Sequence, residues 1–146
     1  EFNSRVKIIG AGGTARAAIG ALSGAVEEIE VYLRNPERKE AIKKAGEGSR
    51  IIFKDMEEIN NESDLIISTL PKSALDIYAS KLQGGVGTYL DVVYNPWPTK
   101  VASLWKGRVI SGLELLVEQA MYQITFMTGQ DFNYHLMRGR LLSVAK

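Results

Sequence analysis

Short runs of β-branched and aliphatic residues alternate along this chain with longer stretches in which apolar positions recur every three or four residues. Arg5-Val6-Lys7-Ile8-Ile9, Ile29 to Leu33, Arg50 to Phe53, Leu65 to Ser68, Thr88 to Val93 and Val109-Ile110 carry the first pattern and are predicted strands. Thr14 to Ser23, Pro36 to Ala45, Ser73 to Lys81, Leu113 to Thr128 and Asp131 to about Ala145 are predicted helices. Leu65-Ile66-Ile67-Ser68 is nearly apolar throughout, as suits a strand buried on both faces. Strand, helix and strand repeated in this order imply right-handed crossovers. The fold expected is α/β, a mostly parallel sheet of about six strands flanked by helices. No repeat, low-complexity tract or linker divides residues 5–146, which are expected to form one domain. Glu1-Phe2-Asn3-Ser4 has the character of a cloning scar and is left out of the fold argument.

The first predicted strand runs into Gly10-Ala11-Gly12-Gly13-Thr14-Ala15 and then into a helix. In a G-x-G-x-x-G/A turn the first glycine permits the bend and the second lets a pyrophosphate approach the backbone. The small third residue, here Ala15, lets helix pack closely on strand. Free N–H groups and the positive end of the helix dipole then face the phosphates, and Thr14 can add a hydroxyl. The strand–turn–helix context is the one this motif requires, and it makes the sheet a doubly wound domain of Rossmann type. A glycine-rich turn that merely connects the two elements is the alternative.

An NAD site usually has Asp or Glu at the end of the second strand to hold the ribose 2′-hydroxyl. Here that strand ends in Leu33-Arg34-Asn35-Pro36-Glu37-Arg38, with no acid in place and two arginines close by. A 2′-phosphate suits planar guanidinium groups, so the cofactor expected is NADP, with Arg34, Asn35 and Arg38 at its phosphate. Arg38 in the first turn of a helix from Pro36 would oppose the helix dipole unless an anion were bound beside it. The alternative is that Asn35 caps the helix, Pro36 is its first residue and both arginines are solvated. For Asn35 the two roles are compatible.

The 146 residues are 45% hydrophobic and 24% charged, with a formal net charge of +1. Near-neutrality argues against a nucleic-acid binder, and no apolar run approaches the roughly 20 residues that cross a bilayer. Cysteine is absent, which removes disulfides and thiolate chemistry, and no metal site is expected. A cytoplasmic protein fits best. The one histidine, His135, falls in the last helix and is assigned no chemistry.

The helix from Leu113 carries two apolar stripes. Leu113, Leu116, Val117, Ala120, Met121 and Ile124 should face this domain's core; Leu115, Gln119, Tyr122 and Phe126 lie nearly opposite, at i, i+4, i+7 and i+11. A helix with two apolar faces is normally covered twice, so a second domain or subunit is expected on the second stripe. Gln119 would reach a site at the junction, unless it is an ordinary surface glutamine. Tyr94 follows a buried strand at the sheet's carboxyl edge, where ligands of open α/β folds collect. From position alone it is either a ligand contact or an aromatic lid on Pro96 and Trp97. Asp91, on the same strand, could be a turn or core acceptor rather than a ligand.

Taken together, these residues resemble the C-terminal, NADP-binding half of the shikimate dehydrogenases. The glycine loop Gly10-Ala11-Gly12-Gly13-Thr14-Ala15-Arg16 is similar to that family's, and Leu33 to Arg38 resembles its Asn-Arg-Thr-x-x-Arg clamp, with Leu33 and Asn35 departing from it. Ile67-Ser68-Thr69-Leu70-Pro71 resembles the strand end before the nicotinamide. Asp91-Val92-Val93-Tyr94-Asn95-Pro96-Trp97-Pro98-Thr99 is similar to the family's Asp-x-x-Tyr-x-Pro-x-x-Thr segment. Gly112 to Ala120 resembles its Gly-x-x-Met-Leu-x-x-Gln-Ala helix, with Leu115 for Met, and Phe126-Met127-Thr128-Gly129 its Phe-x-Trp-Thr-Gly ending. The resemblance implies that Ser68, Thr69, Leu70, Val92 and Gly112 lie along the cofactor and that Tyr94 and Gln119 touch the substrate hydroxyls. It also implies that the catalytic Lys–Asp pair sits in an N-terminal substrate domain that this chain lacks. Shikimate or 3-dehydroshikimate would then be shared with that domain, and this half alone would be inactive. A quinate-directed relative, or a non-catalytic sensor on the same fold, remains open.

Overall fold

The computed structural model describes residues 5–145; the expected cloning scar lies outside them. Six strands, β1 (Val6–Ile9), β2 (Glu28–Tyr32), β3 (Arg50–Lys54), β4 (Leu65–Ser68), β5 (Thr88–Asp91) and β6 (Arg108–Ser111), form one sheet in the order β3-β2-β1-β4-β5-β6. Every pairing is parallel. The chain builds outward from β1 in one direction and then returns to build outward in the other. This leaves a crevice at the carboxyl ends of β1 and β4, the place where open α/β sheets bind ligands.

Period-two alternation splits the core across the sheet. Ile8, Ile29 and Val31 point to one face, where they pack with Ala15, Ile19 and Ile42 from α1 (Gly13–Leu22) and α2 (Lys39–Ala45). Ile9, Tyr32 and Tyr89 point to the other, against Tyr78 and Leu82 at α3 (Ala79–Leu82) and Val101, Ala102 and Trp105 at α4 (Lys100–Leu104). In β4, Ile66 joins one cluster and Ile67 the other, as expected of a strand buried on both faces.

Some predicted elements differ, and one element was not predicted. Pro36–Arg38 is a 3₁₀ turn, and α2 starts only at Lys39, so Arg38 stands just before that helix and not in its first turn. The helix predicted over 73–81 is a turn, a 3₁₀ segment at Asp76–Tyr78 and then α3; Ser73 at φ 62° interrupts its start. The strand predicted to reach Val93 stops at Asp91, where the chain leaves the sheet. α4 was not predicted: five residues give no readable period, yet Thr99 caps it, accepting from the Ala102 N–H at 3.3 Å.

The chain ends in α5 (Gly112–Thr128) and α6 (Tyr134–Val144). Ser111 and Glu114 form a capping box at the start of α5, and Gly129 closes it in the left-handed conformation at φ 64°. α6 leans on α5 through Arg138, which pairs with Glu118 at 2.6 Å and Glu114 at 3.5 Å, and through a hydrogen bond from the Tyr134 hydroxyl to Glu118. Val117 and Met121 are buried as expected, but Leu116 is 48% exposed and leaves the predicted core stripe. It sits about 100° around the helix from Val117, outside the arc that Val117 and Met121 bury. No helix among the described residues is long and apolar enough to cross a membrane.

Candidate dinucleotide site

The glycine turn hangs between β1 and α1 at the mouth of the crevice. Gly10 has φ +113°, and a Cβ there would collide with the Thr69 hydroxyl. That hydroxyl and the Thr69 N–H both donate to the Ile9 carbonyl at 2.9 Å, while the Gly10 N–H donates to the Tyr32 carbonyl at 2.9 Å. Thr69 therefore fixes the turn from the β4 side, and its donor is spent on that task. Ala15 is fully buried, which allows α1 to lie close on the sheet.

Gly12 is different. Its φ is −83°, a value any residue adopts, and a Cβ there would meet nothing within 4 Å. At Gly13 the nearest atom would be an Arg16 nitrogen at 4.0 Å. The fold does not demand glycine at 12 for lack of room; the space above it is open. Gly12 caps α1 without any side-chain bond, and the first turn of that ten-residue helix carries no acid. Its N–H groups and dipole thus present an uncompensated positive end to that space, with Thr14 exposed beside it. A pyrophosphate fits this cradle.

At the end of β2 the backbone turns through Leu33 and Arg34. Asn35 accepts the Glu37 N–H at 3.0 Å and so caps the 3₁₀ turn. Arg38 reaches back to the glycine loop, its guanidinium 3.5 Å from the Ala11 carbonyl. Arg34 lines a cleft of about 370 Å³ on the β3 side, shared with Leu33, Pro36, Lys39, Phe53, Lys54 and Asp55. Lys39 holds its ammonium 5.3 Å from the centre of the Phe53 ring. The structure thus sets Arg38 against the cradle and Arg34 in the neighbouring cleft, and neither arginine forms an ion pair among the described residues. Sequence reasoning missed Lys39, Phe53 and Lys54. Their only signal is that β3 ends beside β2, a matter of sheet order and not of local pattern.

The other half of the crevice lies at the ends of β4 and β5. Ser68 is buried, and Leu70 packs against the core beneath it. Asp91, 3% exposed, is a core acceptor: its carboxylate takes the Tyr89 and Thr99 hydroxyls at 2.8 Å each and the Val93 N–H at 3.1 Å. Burial, and then the Asp91 carboxylate, push the Tyr89 phenol well above its ordinary pKa. Val92 is held by its N–H to the Ser68 carbonyl at 3.1 Å. Gly112 comes so close to the Val92 carbonyl that a Cβ there would clash with it, and its N–H donates to the Val93 carbonyl at 3.2 Å.

Tyr94 is 57% exposed, and the aromatic pairs among the described residues are Tyr89–Trp105 and Tyr134–His135, so it is not stacked on Trp97 as a lid. Gln119 is exposed on α5, about 10 Å along the helix from Gly112. Beside it Leu115, Tyr122 and Phe126 are 36%, 74% and 91% exposed, an apolar stripe left largely open, with Tyr122 sharing a small cavity with Tyr134 and Met137 of α6. No cluster of acidic and histidine side chains able to hold a metal occurs among the described residues.

Comparison with known proteins assigns the family. A family model described as shikimate / quinate 5-dehydrogenase matches residues 2–86, more than half the chain. The chain belongs to the shikimate/quinate 5-dehydrogenase family. A second model, the shikimate 5′-dehydrogenase C-terminal domain, matches residues 112–142. The shikimate dehydrogenase (NADP(+)) of Pelodictyon phaeoclathratiforme is 32% identical over 94% of this chain and 54% of its own length. That of Geobacter metallireducens is 30% identical over 97% and 56%. The crystal structure of Mycobacterium tuberculosis shikimate dehydrogenase matches with a TM-score of 0.84 at 30% identity, over 96% of this chain and 57% of that one. The chain spans about half the length of the curated relatives it matches.

Proposed function

We propose that this chain is the NADP-binding half of a shikimate dehydrogenase whose complete form reduces 3-dehydroshikimate to shikimate. The observation that carries this reading is the open cradle above Gly12 and Gly13, running toward a β2 end that offers arginines and no acid. In this reading the backbone from Gly10 to Ala15, with the Thr14 hydroxyl, holds the pyrophosphate. Arg34, Asn35 and Arg38 take the 2′-phosphate, helped by the positive character of the Lys39 cleft. Ser68, Thr69, Leu70, Val92 and Gly112 bound the nicotinamide end. Tyr94 and Gln119 meet the substrate hydroxyls.

The bound cofactor supplies the hydride; the protein must orient the ring and manage one proton. For that proton the described residues offer no Lys–Asp pair at the crevice. Lys72, the lysine nearest the end of β4, has no hydrogen-bonded or ion-paired partner among the described residues. The acid/base then belongs to a substrate half, which in this reading packs on Leu115, Gln119, Tyr122 and Phe126, the stripe left open on α5. The lengths of the relatives support such a half.

Titrating this chain with NADPH and with NADH, followed by nicotinamide fluorescence, tests the cofactor reading. NADPH is expected to bind the tighter; equal affinities contradict it. The family's description names quinate beside shikimate. Assaying the full-length protein on both compounds decides the substrate, with shikimate expected to be the better one.

A further inference from the structure

The segment that carries Tyr94 leaves the sheet at Asp91 and returns to regular structure at Lys100. Residues 94–98 form no hydrogen bond among the described residues, so their course depends on what holds the two feet of the loop. Both feet end on one carboxylate. Asp91 Oδ1 accepts the Val93 N–H at 3.1 Å on the outgoing side, and Oδ2 accepts the Thr99 hydroxyl at 2.8 Å on the returning side. Tyr89 braces the same Oδ2 at 2.8 Å from beneath.

Thr99 is used twice. Its proton goes to Asp91, and its oxygen accepts the Ala102 N–H at 3.3 Å, so the residue that closes the loop also starts α4. On the other foot the Val92 N–H and the Val93 carbonyl are tied to Ser68 and Gly112, the residues lining the nicotinamide end. One buried anion therefore couples the strand ends of the crevice to the residue directly before Tyr94. Charge-assisted hydrogen bonds inside a low-dielectric core are the strong kind, and they resist the thermal drift that an otherwise unbonded loop would show.

We infer that Asp91 and Thr99 are a positioning pair that aims Tyr94 at the substrate and sets affinity for it, without touching substrate or cofactor themselves. This rests on the proposed reading in which Tyr94 meets the substrate hydroxyls. Thr99→Val removes both the link to Asp91 and the cap on α4 while keeping the side chain's shape; Thr99→Ser keeps both.

Two measurements test it. In this chain, amide hydrogen exchange at Val93 and through the loop should speed up in Thr99→Val and return to the original rate in Thr99→Ser. In the full-length enzyme, Thr99→Val should raise KM for shikimate about fivefold, the size of one lost hydrogen bond. KM for NADP and kcat should change less than twofold, and Thr99→Ser should restore the shikimate KM. Tyr94→Phe is the reference. If it raises the shikimate KM while Thr99→Val does not, or if Thr99→Val lowers kcat and raises both KM values alike, the positioning role is overturned and the reading of Tyr94 stands. If Tyr94→Phe leaves the shikimate KM unmoved, the reading of Tyr94 is wrong and the positioning role falls with it.

Discussion

Replacing Gly10 and Gly12 by alanine, one at a time, separates what the fold needs from what a ligand needs. At Gly10 the φ of +113° is costly for any residue with a Cβ, by about 1–3 kcal/mol. The added methyl also meets the Thr69 hydroxyl and would break its 2.9 Å bond to Ile9, worth about 1 kcal/mol more. Gly10→Ala should thus cost about 2–4 kcal/mol, which lowers the melting temperature of a chain this size by roughly 6–15 °C. At Gly12 the backbone is ordinary and the methyl would meet nothing within 4 Å. The loss of a favoured N-cap and the gain from a stiffer unfolded chain roughly cancel, so stability should change by less than about 0.5 kcal/mol. In the proposed reading the methyl would stand where the pyrophosphate approaches, and NADPH affinity should fall about tenfold or more, or about 1.4 kcal/mol. Calorimetry and a fluorescence titration on both variants read the two effects. If Gly12→Ala melts as early as Gly10→Ala, or binds NADPH as well as the unaltered chain, the open space above Gly12 is not a ligand cradle.

Glu118→Gln should loosen α6 from α5. The hydrogen bond from Tyr134, and then Arg138, hold the Glu118 carboxyl below the usual carboxylate range, so its contribution is present above about pH 4.3 and is lost as the pH falls through its lowered value. The pair lies at the surface and is screened, so stability at neutral pH should drop by less than about 1 kcal/mol, and the difference from the unaltered chain in thermal melts should vanish in acid. Phe126→Ser should leave the stability of this chain within about 0.5 kcal/mol, because the ring is 91% exposed. It should weaken association with a separately supplied substrate half in ultracentrifugation; unchanged association would place the partner elsewhere.

The first βα unit was legible because its signals are local: a strand, a glycine turn and a helix in immediate succession, with Asn35 and Pro36 marking the next helical start. The parallel order of the sheet followed from the alternation of elements. What stayed hidden depends on contacts distant in sequence. Lys39 and Phe53 meet only because β3 lies beside β2, and Asp91 finds Thr99 only because the chain doubles back into a helix of five residues. Leu116 shows the limit of periodicity, since a stripe drawn on a helical wheel does not tell how wide the covering surface is. Ser73, at φ 62°, broke a helix that its composition favoured.

The account turns on whether the end of β2 recognises a phosphate on the adenosine ribose. Kd for NADPH and NADH, measured on this chain and on Arg34→Ala/Arg38→Ala, tests it directly. The account predicts that the double variant loses the preference for NADPH while its affinity for NADH stays within about twofold, a change below about 0.4 kcal/mol. An undiminished preference in the double variant would contradict it.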